Sequence, residues 1–131
     1  MKAKELTLDD LVYGLYPNGK RYPHPFRIAA VDIYPTNKTP RIVTVGGYGF
    51  QEEHLAPIPL TDEILKANGF EYFHKNFAAL DRESPFQLEM VEWPNEEGIG
   101  LWMLGGVIKI RYVHELQHAL RLSGIDKEIT F

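Results

Sequence analysis

Through the first sixty positions apolar residues come in short bursts, broken by proline, glycine or asparagine, and no stretch sustains a helical period. This pattern predicts a small β-barrel or curled, SH3-like sheet. Within LTLDDLVYG, Thr7 offers a cap for a single turn, and Leu11, Val12 and Tyr13 begin a strand. YPNGKRY carries Asn18-Gly19, whose tolerance of positive φ suits a tight hairpin. FRIAAVDIY (26–34) and RIVTVGGYGF (41–50) read as strands joined by a loop from Pro35 to Pro40. Gly46, Gly47 and Gly49 would let the second of them bulge or bend sharply, as a closing barrel needs.

After residue 60 the pattern changes. Pro57 and Pro59 impose an extended segment, Thr61 caps a short helix with Asp62 and Glu63 in its first turn, and Asn68-Gly69 supplies a left-handed stop. FEYFHKNFAAL, PFQLEMVEW, GIGLWMLG and GVIKIRYV then predict three or four antiparallel strands, broken at Pro94 to Gly98 and at Gly105-Gly106. In QLEMVEW, Leu88, Val91 or Met90, and Trp93 compete for the buried face. A last helix runs from about Tyr112 to Leu122, stopped by Ser123-Gly124, and IDKEITF is a tail suited to an edge strand. The expected fold is therefore α+β: an N-terminal SH3-like or curled β unit, a short capped helix, an antiparallel sheet and a C-terminal amphipathic helix packed through Val113, Leu116 and Leu120. No flexible linker separates the halves, so a single compact domain over 1–131 is expected, with 1–60 and 61–131 as its subdomains.

Composition narrows the function classes. The 131 residues are 44% hydrophobic, enough to bury a real interior. A formal charge of -4 lacks the basic footprint of a protein that grips phosphate backbones, which disfavours nucleic acid as a general partner. With no cysteine there can be no disulfide, thiolate zinc site or cysteine nucleophile, and a reducing cytoplasm is the expected compartment. MKAKELTLDD places acidic residues where a signal core would be apolar, and no apolar run approaches the roughly 20 residues of a membrane span.

RYVHELQHALRLSG contains His114, Glu115 and His118 in the spacing H-E-x-x-H, the helical signature of zinc peptidases. In such enzymes two histidines one turn apart bind zinc, the glutamate polarises its water, and a third protein ligand completes the site. Here Asp126 and Glu128 are the only carboxylates that follow, and the extended metzincin pattern fails because Arg121 and Gly124 stand where glycine and histidine are required. A wheel reading puts Val113, Leu116, Ala119 and Leu120 on a core face and His114, Gln117, His118 and Arg121 on a solvent face. The expectation is a structural helix, with no metal or cofactor bound.

His24, His54 and His74 are scattered singly and read as surface or structural residues. GGYGF lacks the lysine and the following helix of a phosphate cradle. Tyr13, Tyr16, Tyr22 and Tyr34, with Tyr48 and Phe50, concentrate aromatic rings in the β-rich half; they suit either a filled barrel or a stacking or peptide-docking surface. A stripe of Lys20, Arg21, Arg27, Lys38 and Arg41 is what nucleic-acid binding by that half would require.

IRYVHELQHALRLSG with its acidic tail, together with LAPIPLTDEILKANGFE, resembles a family of small uncharacterised proteins from gut anaerobes and their prophages or mobile elements. The two motifs cover about 30 of the 131 residues. In that family the helix reads closer to Y-V-H-x-L-Q-N, often with glutamine at the place of Glu115 and asparagine at that of His118. Tyr112, Val113, His114, Leu116 and Gln117 are then family positions, while Glu115 and His118 are departures. The resemblance implies a fold habit and a mobile-element context, and no activity. The functional expectation is a cytoplasmic, non-enzymatic protein-interaction module of phage or mobile-element type, acting on a protein partner that the sequence does not identify, in an oligomeric state it does not specify. The alternatives are a zinc-dependent hydrolase with His114 and His118 as ligands and Glu115 as base, and a weak nucleic-acid-binding module on the β-rich half.

Overall fold

The computed structural model describes residues 1–32, 40–73, 77–81, 86–93, 96–103 and 106–131. Tyr34, Lys38, His74 and most of the Pro35–Pro40 loop lie outside these residues, as do the side chains of Met90, Val91 and Trp93. The architecture is α+β, with two antiparallel sheets and a C-terminal helix. Two compact units divide the chain, Met1–Ile58 and Pro59–Phe131.

The first unit begins with a 3-10 turn (Ala3–Glu5), followed by β1 (Leu11–Gly14), β2 (Phe26–Asp32), β3 (Arg41–Thr44) and β4 (Gly49–Gln51). A second 3-10 turn (Glu52–His54) leads into β5 (Leu55–Ala56). The strand order is β4-β3-β2-β1-β5, so the last strand returns to pair with the first. Thr7 caps no helix: its amide and hydroxyl donate to the Asp10 carboxylate at 2.8 and 3.2 Å, closing a turn in which Asp9 takes φ 68°. Asp10 is fully buried, and these bonds offset the cost of removing its charge from water.

Segment 41–50 is a hairpin and not one bent strand. Gly46 and Gly47 take φ 98° and 88°, successive left-handed positions that reverse the chain between β3 and β4. The irregularity expected there sits instead in β2, where pairing with β3 shifts between Ile28 and Ala30. Inward alternation puts Val12, Ile28, Ile42, Phe50 and Leu55 in the core, closed by Ala3 and Leu6. The Glu52 carboxylate accepts from the Ala3 amide at 2.8 Å and ties the N-terminal segment to the turn before β5.

In the second unit α1 (Asp62–Ala67) starts where expected: Thr61 Oγ1 accepts from the Ile64 amide at 3.3 Å. It ends at Asn68 and Gly69, the latter at φ 86°. A meander follows, β6 (Glu71–Phe73), β7 (Phe77–Ala79), β8 (Gln87–Trp93), β9 (Glu96–Met103) and β10 (Gly106–Ile110), each pairing with its predecessor. FEYFHKNFAAL therefore forms two paired strands. Glu96, Glu97 and Gly98 extend β9, because Trp93 pairs with Glu96 and the connection shortens to Pro94-Asn95. Gly106 likewise opens β10, opposite Met103. The tail forms no edge strand; Ile129 is buried and Thr130 is bonded to the Asn68 side chain. Leu65, Phe70, Leu88, Ile99, Ile110 and, from the last helix, Val113, Leu116 and Leu120 are buried in this unit, whereas Leu122 at the helix end is exposed.

Candidate functional sites

The H-E-x-x-H helix, α2 (Val113–Leu122), follows β10 after two residues, with Tyr112 at its N-cap. Glu115 occupies the third helical position, and its Oε1 accepts from the amides of Arg111 and Tyr112, both at 3.0 Å. A carboxylate at that position satisfies amides that the helix itself leaves unbonded and lies at the positive end of the helix dipole. The glutamate of the motif is thereby engaged by backbone.

The two histidines do not share an environment, and the expectation that both face solvent is corrected. His114 is 5% exposed, with Nδ1 sealed from solvent, while His118 is half-buried. Gln117 is buried as well. At about 100° per residue Gln117 lies only roughly 40° from Val113, so it belongs to the buried arc that runs from Leu116 through Leu120, Val113 and Gln117 to His114. The His114 ring stacks nearly parallel to that of Tyr112, 9° between planes and 5.8 Å between centroids, and meets His118 edge-on at 5.7 Å. Asp126 and Glu128 are exposed. Among the described residues no three His, Cys, Asp or Glu side chains are grouped so as to hold a metal ion.

A second constellation lies in the first unit, where Tyr22 is the hub of an aromatic cluster. Tyr16 stacks on it at 3.9 Å with planes 19° apart, and Tyr22 meets Phe26, Phe50 and Tyr48 edge-on at 5.2, 5.6 and 6.3 Å. Phe26 contacts both Tyr48, at 5.3 Å, and Phe50, at 5.1 Å. Two hairpins bring these rings together. In the first, Asn18-Gly19 reverses the chain with Gly19 at φ 82°, Tyr16 donates its amide to Lys20 O at 2.8 Å, and Leu15 bridges Arg21. In the second, Thr44 bonds Tyr48 O through both its amide and its hydroxyl, placing Tyr48 just beyond the glycine turn.

The cluster has a floor and a surface. Phe26 and Phe50 are buried, whereas Tyr16 and Tyr48 are 40% and 53% exposed over a half-buried Tyr22. Gly14 makes the floor tight, since a Cβ there would fall 2.7 Å from Phe50 Cζ and 2.9 Å from Phe26 Cε2. Of the tyrosines singled out from sequence, Tyr16, Tyr22 and Tyr48 come together, while Tyr13 carries the Arg21 guanidinium at 4.0 Å over its ring. Phe26 was missed as a member. The PHPF run that starts β2 is its only sequence signal.

The remaining candidates are dispersed. His24 is exposed, and His54 sits in the 3-10 turn with its carbonyl accepting from the Leu15 amide at 2.8 Å. Of the proposed basic stripe, Lys20 is exposed, Arg27 donates to Asp9 O at 3.2 Å, and the Arg41 guanidinium packs along Gly49, with Nε 2.7 Å from where a Cβ would stand. No helix among the described residues is long and apolar enough to cross a membrane. No family model, curated protein or solved structure matches this chain.

Proposed function

We propose that this chain is a non-enzymatic protein-interaction module whose contact surface is the Tyr16–Tyr22–Tyr48 platform. The observation that carries the reading is the exposure of two tyrosine rings on a rigid aromatic floor, since such rings give large contact area at low entropic cost. The strand order β4-β3-β2-β1-β5, with a 3-10 turn before β5, supports an SH3-like reading of the first unit. Small barrels of that kind carry aromatic-lined peptide grooves, an analogy of fold rather than of site. On this reading the H-E-x-x-H letters are structural: Glu115 caps, His114 is packed, and His118 is half-buried. A glutamine at position 115, as in the family the chain resembles, would still cap the helix but could not act as a peptidase base. That resemblance and the absence of cysteine support a phage or mobile-element role in a reducing cytoplasm.

Selection of a random peptide-display library on the full chain tests the proposal. Wild type should enrich a recognisable motif, and Tyr16→Ala with Tyr48→Ala, both at exposed positions, should abolish the enrichment while leaving the circular dichroism spectrum intact. An equal yield from wild type and variant, or no enrichment by wild type, would contradict it.

A further inference from the structure

We infer that the platform takes an extended, proline-containing peptide with acidic side chains. This rests on the interaction reading above and adds the chemistry of the partner. Charge is distributed unevenly along the chain: residues 1–58 carry seven Lys and Arg against six Asp and Glu, whereas residues 59–131 carry seven against twelve. Within the first unit the imbalance sharpens at the platform. Segments 11–31 and 41–51, which supply every ring of the cluster, contain Lys20, Arg21, Arg27 and Arg41 and not one carboxylate. Lys20 and Arg21 are both exposed on the hairpin that presents Tyr16 and Tyr22, and Arg21 is held over Tyr13. The hairpin that presents Tyr16 and Tyr22 thus borders the apolar contact surface with the exposed positive charge of Lys20 and Arg21 and carries no carboxylate, which favours an acidic partner and disfavours a basic one.

The rings set the rest of the partner's chemistry. Tyr16 and Tyr22 are already stacked on each other at 3.9 Å, so no planar group can slide between them and only outer ring faces and edges are offered. Proline rings pack on such faces, and a polyproline segment is extended before it binds, so little entropy is lost on docking. A nucleic acid would also find rings and cations here. However, grip on a phosphate backbone grows with the number of phosphates neutralised, and two cations at the platform on a chain of net charge -4 supply few.

The test uses the full chain and three fluorescein-labelled probes followed by anisotropy: a peptide of Pro-Pro-Glu repeats, one of Pro-Pro-Lys repeats of equal length, and oligothymidylate. The glutamate peptide should bind at least about tenfold more tightly than the lysine peptide, and added salt should narrow that margin. Lys20→Glu with Arg21→Glu should erase or invert the preference, and Tyr16→Ala should weaken both peptides; thermal melts confirm that each variant is folded. A lack of preference, a preference for lysine, or tighter binding of oligothymidylate would overturn the inference. If the display selection enriches neutral or basic motifs that depend on Tyr16 and Tyr48, the acidic specificity falls and the platform stands. Failure of every peptide, displayed or synthetic, removes both.

Discussion

Asn68 and Thr130, 62 positions apart, bind each other in both directions: Asn68 Nδ2 donates to Thr130 O at 3.0 Å and Thr130 N donates to Asn68 Oδ1 at 2.8 Å. The amide side chain presents to the tail what a neighbouring strand's backbone would present. Its Nδ2 also donates to Ile64 O at 2.8 Å, at the end of α1, so one buried side chain closes the helix and anchors the C-terminal segment beside buried Ile129. Asn68→Ala should therefore cost about 1–3 kcal/mol in urea unfolding, because the partner groups lose their bonds. Asn68→Asp should be worse than its size suggests, since a carboxylate would face two carbonyl oxygens. A cost within about 0.5 kcal/mol, typical of an exposed site, would contradict this role.

Gly14 and Gly49 offer a paired comparison. A Cβ at Gly14 meets the rings of Phe26 and Phe50, which are themselves packed, whereas at Gly49 it meets only the end of the flexible Arg41 side chain. Gly14→Ala should destabilise the fold by about 1–3 kcal/mol through overpacking and disturb the aromatic floor. Gly49→Ala should stay within about 0.5 kcal/mol, the arginine swinging aside. Thermal melts of the two variants decide it, and equal shifts would speak against the close approach at Gly14.

The role of Glu115 separates capping from catalysis. Glu115→Ala should cost about 0.5–2 kcal/mol, in the range of a lost helix cap, and Glu115→Gln should recover most of that loss. His118→Asn should leave stability nearly unchanged, and neither wild type nor the variant should hold stoichiometric zinc. Elemental analysis of untagged protein provides the check, and one tightly held zinc per chain, lost in His118→Asn, would restore the hydrolase reading.

Tyr72 should ionise later than an ordinary tyrosine. Burial, followed by its hydrogen bond to Asp62 at 2.8 Å and the nearby charges of Asp62 and Glu63, raises its phenol well above the ordinary value of 10.0. The folded state holds the proton more tightly than the unfolded chain, so the associated stability is fully present below about pH 10 and is lost as pH rises through the raised folded value. Spectrophotometric titration should show a late phenol that is lost in Tyr72→Phe, and Asp62→Asn should bring it part of the way back. A full return would mean that burial contributes nothing.

Local punctuation was legible in the sequence, while the pairing of distant groups was not. Thr61, Asn68 and Gly69 bound α1 as their capping chemistry dictates, and the C-terminal helix spans Val113–Leu122 with Tyr112 just outside it. The Gly46-Gly47 pair was read as a bend, yet two successive positive-φ residues are enough to reverse the chain. Gln117 was misplaced because its polarity outweighed its angle: it lies nearer to Val113 on the wheel than to His118. The Asn68–Thr130 pair carried no signal, since an asparagine bonding across 62 positions looks in sequence like any helix stop. The aromatic platform was half visible. Ring count marked the region, but only the two hairpins determine that Tyr16, Tyr22 and Tyr48 converge on Phe26 and Phe50 and that Tyr13 goes to Arg21 instead.

An NMR titration of isotope-labelled full chain with the Pro-Pro-Glu repeat peptide tests the location of the binding surface most directly. Amide shifts concentrated at residues 13–26 and 46–50, with 112–118 unmoved, are the predicted result. Shifts centred on His114 to His118, with the Tyr16 and Tyr48 amides silent, would contradict the account.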